Sequence, residues 1–324
     1  MGRHEDSIAG QMIALVTGAA GFIGSHLCEH LLAAGDEVRG VDAFTDYYAR
    51  GQKEEHISGL LGRPGLAFVE GDLNTMPLLP VLDGVQVVYH LAGQPGVRPS
   101  WGSDFELYVH RNVLATQRLL EACRLGPHPK VVYASSSSVY GDAASYPTPE
   151  SATPRPISPY GVTKLAGEHL CEVYRLTFGV PTASLRLFTV YGPRQRPDMA
   201  FSRLIACAVE GRAFELYGDG EQTRDFTFVG DVVAAMRNAA MSEWVGVANI
   251  GGGVRVSMNE VVSVVGSMCG HLDVVRLPSA DGDVRHTGAD TRVAAAAFGY
   301  RPATTLAKGL RAMVDAMSRN VELT

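Results

Sequence analysis

The stretch Ile13-Ala14-Leu15-Val16-Thr17-Gly18-Ala19-Ala20-Gly21-Phe22-Ile23-Gly24 decides the fold. A short apolar run stops at Gly18, two more glycines follow at three-residue steps, and an apolar-periodic segment then begins. This pattern predicts a strand, a glycine turn and a helix. Glycines let the chain turn tightly and let backbone amides approach a pyrophosphate, whose negative charge is favourable at a helix N-terminus. The expected dinucleotide contacts are Gly18, Gly21, Phe22, Ile23 and Gly24.

An acidic residue follows at the spacing that this fold requires. The helix is expected to end near Ala34, and residues 38–42 are predicted to form the second strand, with Asp42 at its end. Asp42 lies about 20 residues after the glycines, where a carboxylate accepts hydrogen bonds from both hydroxyls of an adenosine ribose and repels a 2′-phosphate. The chain is therefore expected to prefer NAD to NADP.

Strands and helices continue to alternate after Asp42. Further strands are predicted at residues 66–70, 85–91, 130–134 and 182–187. Helices alternating with almost continuously apolar strands indicate the α/β class, with a Rossmann-type doubly wound parallel sheet. Candidates for cofactor contacts after these strands, or on the predicted helix 104–124, are Asp72, Leu73, Leu91, Ala92, Gly93 and Asn112.

The pattern changes after residue 187, which indicates a second unit. Residues 12–187 are interpreted as the NAD-binding domain, with residues 230–252 returning to it. A smaller C-terminal α/β substrate domain is expected from residues 188–229 and 253–324. Its arginines favour an anionic ligand. Residues 1–11 are interpreted as a flexible leader, without the character of a secretory signal.

The composition excludes several classes of partner. Of 324 residues, 46% are apolar and 19% are charged, and the formal net charge is -6. This balance provides no basic surface for nucleic acid and no cationic stripe for a membrane, so neither is expected as a partner. The five cysteines are scattered singly, so no metal site is expected, and we interpret them as buried thiols of a cytoplasmic protein.

The segment Tyr160-Gly161-Val162-Thr163-Lys164 carries the candidate chemistry. If Tyr160 opens a helix, Lys164 lies one turn further along the same face, where its ammonium would favour the ionised phenol. The hydroxyl run Ser135 to Ser138 ends the preceding predicted strand and would supply hydrogen-bond donors to the same reacting oxygen. Tyr160 is thus the predicted base and the serine run supplies the predicted hydrogen-bond donors. The dinucleotide bound by the upstream fold would accept the hydride.

With these motifs, the chain resembles an extended short-chain dehydrogenase/reductase of the nucleotide-sugar epimerase and dehydratase group. The matching segments span about residues 12 to 320 and are Thr17 to Gly24, Asp42, Gly71 to Leu73, His90 to Gly93, Ser135 to Gly141, Tyr160 with Lys164, and Gln222 to Val229. In that family Tyr160 would be the catalytic base, Lys164 would bind the nicotinamide ribose and lower the tyrosine pKa, and Ser136 would hydrogen-bond the reacting oxygen. The resemblance also implies a homodimer.

Neighbouring residues point to one branch of the group. Dehydratases of this kind carry an Asp-Glu pair where Ser137 and Ser138 stand, and decarboxylases usually keep a glutamate at Ser138. Thr189, where the family commonly has asparagine, and the segment from Arg196 resemble UDP-glucuronic acid 4-epimerases. Ser137, Ser138 and Thr189 are short, uncharged donors. Such donors suit a sugar carboxylate that must be held without being lost as carbon dioxide.

The resemblance therefore implies epimerisation of UDP-glucuronate to UDP-galacturonate through a 4-keto sugar. Arg196 is expected near the sugar, and Arg224 and Arg285 near the diphosphate, the last through a looser match at Gly282 to Asp290. A UDP-glucose/UDP-galactose 4-epimerase and a UDP-glucuronate decarboxylase remain alternatives within enzymes. A non-catalytic NAD-binding sensor is the alternative of a different class, although such a protein would be expected to have lost the Tyr-x-x-x-Lys motif.

Overall fold

The computed structural model describes residues 11–270, 272–278 and 284–322. Of the interpreted leader 1–11, only Gln11 belongs to these residues. Gly282, which begins the looser match near Arg285, also lies outside them. Within the described ranges, none of the helices combines the length and the apolar character needed to cross a membrane.

Thirteen strands and eleven α-helices are found in the described residues. The strands are β1 (Ile13–Thr17), β2 (Glu37–Asp42), β3 (Leu66–Glu70), β4 (Val87–His90), β5 (Lys130–Ser136), β6 (Thr182–Leu187), β7 (Val190–Tyr191), β8 (Phe214–Tyr217), β9 (Thr223–Asp225), β10 (Thr227–Phe228), β11 (Gly246–Ile250), β12 (Arg255–Ser257) and β13 (Val274–Leu277). The helices are α1 (Phe22–Ala33), α2 (Arg50–Ser58), α3 (Leu79–Leu82), α4 (Phe105–Tyr108), α5 (Ala115–Leu125), α6 (Pro159–Phe178), α7 (Ala200–Glu210), α8 (Val229–Met241), α9 (Met258–Cys269), α10 (Arg292–Phe298) and α11 (Leu306–Glu322).

Seven parallel strands form the central sheet, in the order β11-β6-β5-β4-β1-β2-β3. The chain moves outward from β1 to β3 and then crosses back to β4, so that the strand order reverses between β1 and β4. Thr17 at the end of β1 pairs with both Val41 and His90, which makes the carboxyl ends of three strands level. Ligands of open α/β sheets bind in the crevice at such a reversal. The predicted fold class is confirmed.

Two apolar layers cover the sheet. On one face, α1 and α8 pack through residues such as Leu27, Leu31, Val232 and Met236. On the other face, α5 and α6 pack together with α3. Buried strands need both layers because neither side of a parallel sheet is exposed to water.

A third apolar cluster builds the smaller unit. It joins α7, α9 and α11 to β8 and includes Phe201, Leu204, Val261 and Leu310, all buried. Helix α10 differs from the predicted division of the chain: it lies within residues 253–324, yet Ala294 and Phe298 pack in the first cluster of the central sheet. The reason is that α10 packs against β11, an edge strand of the central sheet, and against α8. The other predicted boundaries stay predictions.

The segment before α5 is more irregular than the single helix predicted for residues 104–124. Residues 109–114 form a π-helical turn between α4 and α5, and Asn112 lies within it. The Thr116 hydroxyl donates to the Asn112 carbonyl oxygen at 2.6 Å. π turns inside helices are frequent at functional sites.

A buried ion pair holds α6 on the sheet. Arg186 on β6 donates to Glu168 on α6 from Nε to Oε1 at 2.9 Å and from Nη2 to Oε2 at 2.7 Å, and both side chains are at most 5% exposed. The Ser135 hydroxyl also donates to Glu168. Since Tyr160 and Lys164 lie on the same helix, this pair fixes their position relative to the end of β5.

We expect Glu168→Gln to lower the free energy of unfolding by about 3–5 kcal/mol, because it leaves the Arg186 charge buried without a counter-charge. Urea denaturation of the purified protein measures the change. Glu172→Gln is the matched control, since this residue lies one turn further on α6 and pairs with Arg175 at a half-exposed position. The control loss is expected to be about 0–1 kcal/mol. Equal losses of unfolding free energy for the two variants would contradict the stabilising role of the Glu168–Arg186 pair.

Candidate active site

The glycine turn after β1 forms one wall of a cavity at the strand ends. Gly18 adopts φ +72°, and a Cβ there would lie 2.9 Å from the amide nitrogen of Ala92. A Cβ on Gly24 would lie 2.0 Å from the carbonyl oxygen of Gly18. Both positions therefore require glycine, the first for its conformation and the second for the close approach of α1 to β1.

The start of α1 is suited to a pyrophosphate. Gly21 precedes the helix, no side chain caps its first amides, and the first turn carries no acidic residue. The four N-terminal amides of a helix have no partner inside it, and the helix dipole favours an anion there. Phe22, Ile23 and Gly24 line the cavity at this point. These observations fit a dinucleotide.

Asp42 closes the adenosine side of the cavity. Its Oδ2 accepts from the Ala20 amide at 3.0 Å and its Oδ1 from the Phe44 amide at 2.8 Å. The two bonds fix the carboxylate at the end of β2 and leave lone pairs on each oxygen for ribose hydroxyls. Lys53 of α2 lines the same cavity, where burial lowers the pKa of its ammonium although Asp42 opposes this.

Several lining residues were missed by the sequence analysis. They are Thr45, Tyr47, Tyr48, Lys53, Gln94 and Arg111. Lys53 occurs in a polar helix that would be assigned to the surface from its sequence, and Tyr47 and Tyr48 follow no periodic pattern. The available signal for Thr45, Tyr47 and Tyr48 was their position shortly after the acidic end of β2.

A buried hydrogen-bond chain holds the strand ends level. Thr116 donates to the Asn112 carbonyl, so its oxygen accepts from His90 Nε2 at 2.9 Å, and His90 Nδ1 then accepts from the Thr17 hydroxyl at 2.8 Å. This assigns the Nε2–H tautomer. Burial, with the charge of Lys164 as a second cause, lowers the pKa of His90 to about 3, so the ring remains neutral.

Asn112, a predicted cofactor contact, is already bonded to groups of the protein. Its Oδ1 accepts from the Gln94 amide at 2.6 Å, and its Nδ2 donates to the Gln94 carbonyl and to Thr163 Oγ1, each at 3.0 Å. Protein groups thus engage both ends of the amide. Asn112 ties the loop after β4 to α6, whereas the predicted residues Asp72, Leu73, Leu91, Ala92 and Gly93 line the cavity.

Tyr160 stands in the cavity at the start of α6. Ser158 caps the helix by accepting from the Gly161 amide at 3.1 Å. A Cβ on Gly161 would lie 2.6 Å from the Ser138 carbonyl oxygen, so glycine lets the helix approach the serine turn closely. Burial raises the pKa of the Tyr160 phenol, while a hydrogen bond with Ser136 and the charge of Arg196 oppose the rise.

Lys164 also lines the cavity, and its ammonium is bonded to the end of β5. Its Nζ donates to the Ala134 carbonyl oxygen at 2.9 Å and lies 5.2 Å from the centre of the Tyr133 ring. Burial lowers the pKa of Lys164 to about 8, with Cys171 and Glu168 opposing the shift. The two groups of the chain that lower the Tyr160 pKa are instead Ser136 and Arg196. An effect of Lys164 on that pKa stays a prediction.

The predicted substrate residues fall into two groups. Arg196 lines the cavity with Tyr160, and Ser137 and Ser138 form the partly exposed turn after β5. Arg224 and Arg285 adjoin each other elsewhere: Arg224 Nη1 donates to the Arg285 carbonyl oxygen at 3.1 Å, and Arg285 Nη2 pairs with Asp219 at 2.7 Å.

Thr189 belongs to neither group. It lies between β6 and β7, one residue after Phe188, and is partly buried; its carbonyl oxygen accepts from the Thr227 amide at 3.1 Å. This bond joins the turn after β6 to β10. The backbone of Thr189 therefore has a structural partner, and its side chain remains a predicted contact.

A model of the NAD dependent epimerase/dehydratase family matches residues 14–251. The chain belongs to this family. A Bacillus subtilis protein named as an uncharacterized UDP-glucose epimerase is 44% identical over 92% of this chain and 96% of its own length. UDP-glucuronate 4-epimerase 2 of Arabidopsis thaliana is 38% identical over 93% of this chain and 74% of its own length.

A solved structure extends the likeness to the whole fold. The UDP-glucuronic acid 4-epimerase of Bacillus cereus, in complex with UDP-glucuronic acid and NAD, is 43% identical and superposes with a TM-score of 0.92 over 95% of this chain and 100% of that chain. As an NAD dependent epimerase/dehydratase, this protein uses the cofactor that the glycine turn and Asp42 predicted. The predictions of NAD and of the extended short-chain dehydrogenase/reductase group are confirmed.

Ser136→Ala is expected to move the ascending limb of the pH profile of kcat/KM to higher pH. The hydrogen bond of Ser136 lowers the Tyr160 pKa. Its removal therefore raises that pKa, and Tyr160 ionises only at higher pH. Initial rates across the neutral and alkaline range with saturating NAD measure the limb. Ser184→Ala, at a buried serine on the neighbouring strand β6, serves as the control and should leave the limb in place. A limb that moves to lower pH would overturn the assignment.

Proposed function

We propose that this protein is an isomerase, an NAD-dependent 4-epimerase that converts UDP-glucuronate to UDP-galacturonate through a transient 4-keto sugar. The observation that carries the proposal is the pairing of Arg196 with Tyr160 in one cavity, beside a serine turn that contains no carboxylate at positions 137 and 138. A relative of 43% identity binds UDP-glucuronic acid and NAD.

The chain supplies the proton chemistry. Tyr160 takes the proton of the C4 hydroxyl and later returns it to the same oxygen, and Ser136 hydrogen-bonds that oxygen while its charge changes. When bound, NAD supplies a reversible acceptor for the hydride of C4. Lys164 is assigned to bind the nicotinamide ribose. The 4-keto sugar would rotate in the site and receive the hydride on its opposite face. This would invert the configuration at C4 and give an isomer of the substrate.

The absence of carboxylates in the serine turn supports epimerisation over other outcomes. Elimination of water needs an acid and a base near C5 and C6, and neither Ser137 nor Ser138 can provide one. The 4-keto intermediate carries its carboxylate beta to a ketone, where carbon dioxide can leave. Ser137, Ser138 and Thr189 are assigned to hold that carboxylate, since uncharged donors add no negative charge.

The nucleotide end is assigned to the smaller unit. Arg224 and Arg285 adjoin each other at β9, and two guanidinium groups suit a diphosphate. Residues 12–187 and 230–252 are assigned to NAD, and residues 188–229 and 253–324, except α10, to the nucleotide sugar.

A UDP-glucose/UDP-galactose 4-epimerase is the second candidate. The Bacillus subtilis relative named as an uncharacterized UDP-glucose epimerase favours it, with 44% identity to this chain. The same base and cofactor would serve a neutral hexose. Arg196 beside Tyr160 favours the acidic sugar instead, because its guanidinium has donors beyond the two that bond Asp198, and a carboxylate is a strong partner for them.

Purified protein with NAD and UDP-glucuronate is expected to form a product of unchanged mass that elutes as UDP-galacturonate. Tyr160→Phe should reduce the rate about 10²–10⁴-fold, the usual contribution of a positioned acid or base. Chromatography coupled to mass spectrometry measures both quantities. Tyr174→Phe is the matched control, because Tyr174 lies on the same helix and its hydroxyl binds Glu121 at 2.8 Å.

Other products would identify other functions. Loss of carbon dioxide from UDP-glucuronate would identify a decarboxylase. Turnover of UDP-glucose alone would identify the second candidate. Absence of turnover with intact NAD binding would favour a sensor. An active Tyr160→Phe variant would overturn the base assignment.

We infer that the protein forms a homodimer through α6 and the helical segment 105–125. Val162, Val173 and Leu176 on α6 are 48%, 53% and 68% exposed and lie on one stripe, and Leu107 and Leu114 are each 42% exposed on the neighbouring segment. Apolar side chains at this spacing on two adjacent helices suit a self-complementary four-helix contact.

Leu176→Glu is expected to convert the dimer to a monomer, because it places a charge in the centre of an apolar contact. Sedimentation velocity measures the change. Met241→Glu alters a similarly exposed apolar residue at the end of α8 and should leave the dimer intact. A wild-type protein that sediments as a monomer would refute the inference.

We also infer a reducing compartment, the cytoplasm. All five cysteines are free, and four of them are buried. Burial raises the pKa of the Cys28 and Cys171 thiols to about 12 in each case, which favours inert thiols. Scattered, unpaired and buried cysteines are typical of proteins that do not rely on disulfides.

A further inference from the structure

Arg196 reaches the cavity from a loop that is held by its own turn. The loop follows β7, and the Met199 amide donates to the Arg196 carbonyl oxygen at 3.1 Å, which closes a turn around Pro197 and Asp198. Proline at the first central position presets the backbone of such a turn. The turn brings the side chains of Arg196 and Asp198 together, although only one residue separates them.

Asp198 binds one edge of the Arg196 guanidinium. Arg196 Nε donates to Oδ1 at 3.0 Å and Nη2 donates to Oδ2 at 3.1 Å. This side-on, two-point geometry fixes the plane of the guanidinium as well as its position. Among the residues that the structure describes, none accepts a hydrogen bond from Nη1 of Arg196. The Nη1 donors are therefore available to a ligand.

Tyr47, from the loop after β2, holds Asp198 in place. Its hydroxyl donates to Asp198 Oδ2 at 3.1 Å, and its ring centre lies 5.4 Å from the Arg196 guanidinium carbon. Gly96, at φ +100°, admits this hydroxyl, since a Cβ there would lie 2.6 Å from it. Burial, followed by the charge of Asp198, raises the pKa of Tyr47 to about 12, so the hydroxyl keeps its proton.

The chemistry of a uronic acid identifies which anion this arrangement can meet. Tyr160 must reach the oxygen on C4, and the carboxylate is carried by C5, the next ring atom. The diphosphate is attached to C1, across the ring. The carboxylate, rather than the diphosphate, is therefore the substrate anion nearest to Tyr160, with which Arg196 shares the cavity.

We propose that Asp198, held by Tyr47, positions Arg196 for the carboxylate of the sugar and thereby sets the preference for an acidic over a neutral hexose. This inference rests on the proposed function. Asp198 is a positioning residue, since it acts on the ligand through Arg196. In the opposite role, Asp198 would compete with the ligand for Arg196. The ligand would then have to bind Nε and Nη2 of Arg196, which Asp198 already binds.

Equilibrium binding separates these roles. UDP-glucuronate and UDP-glucose are titrated by calorimetry into NAD-saturated protein in a Tyr160→Phe background, where turnover is suppressed. Asp198→Asn is expected to weaken UDP-glucuronate about tenfold, the loss of one charge-assisted contact, and to change UDP-glucose less than about twofold. Tyr47→Phe should weaken UDP-glucuronate by a smaller factor.

A double-mutant cycle shows whether Asp198 acts through Arg196. Adding Asp198→Asn to Arg196→Ala should cause no further loss of UDP-glucuronate affinity, because the positioned group is already absent. Glu210→Gln is the matched control: Arg212 donates from Nε to Glu210 at 2.6 Å across the same two-residue spacing, outside the cavity. This variant should bind both ligands as the parent does.

Four outcomes overturn the inference. They are unchanged or tighter UDP-glucuronate binding by Asp198→Asn, equal weakening of both ligands, a loss that persists without Arg196, and failure of the parent to bind UDP-glucuronate. The proposed function is judged separately, by formation of UDP-galacturonate with the wild-type protein. A protein that shows the expected binding pattern but forms no such product would refute the function and keep the assignment of Asp198.

Discussion

The buried ion pair between Glu168 and Arg186 fixes the helix that carries the candidate base. Three contacts along α6 meet the end of β5: Gly161 against the serine turn, Lys164 on the Ala134 carbonyl, and Glu168 with the Ser135 hydroxyl. A charge pair with little access to water tolerates little displacement, because either partner alone would be left unsolvated. The distance between Tyr160 and the serines therefore depends on this pair.

The same burial that fixes the helix also shapes its chemistry. Removal from water disfavours charge, so it raises the pKa of Tyr160 and lowers that of Lys164 to about 8. Two groups of the chain oppose this effect at the phenol, and one of them, Arg196, comes from the loop after β7. One of the groups that lower the Tyr160 pKa thus comes from outside the central sheet.

That dependence explains why the site needs both units of the protein. The central sheet and the helices that cover it supply the glycine turn, Asp42 and Tyr160, which suit the chemistry of an NAD dependent epimerase/dehydratase. The loop from 192 to 199 brings Arg196 across to this site, and Tyr47 meets it from the loop after β2. The proposed preference for an acidic sugar therefore depends on contacts between loops from different parts of the chain.

The sequence by itself determined the sheet, the glycine turn, the acidic residue at the end of β2 and the pair Tyr160 and Lys164. Each follows from local spacing, either the period of a strand or helix or the need for glycine at a close approach. The tertiary structure alone decided that Asn112 binds Gln94 and Thr163, that the Lys164 ammonium donates to Ala134, and that Lys53 lines the cavity. It also decided that Tyr47, admitted by Gly96, binds Asp198. These contacts join residues far apart in the chain, and no local period encodes which distant groups will meet.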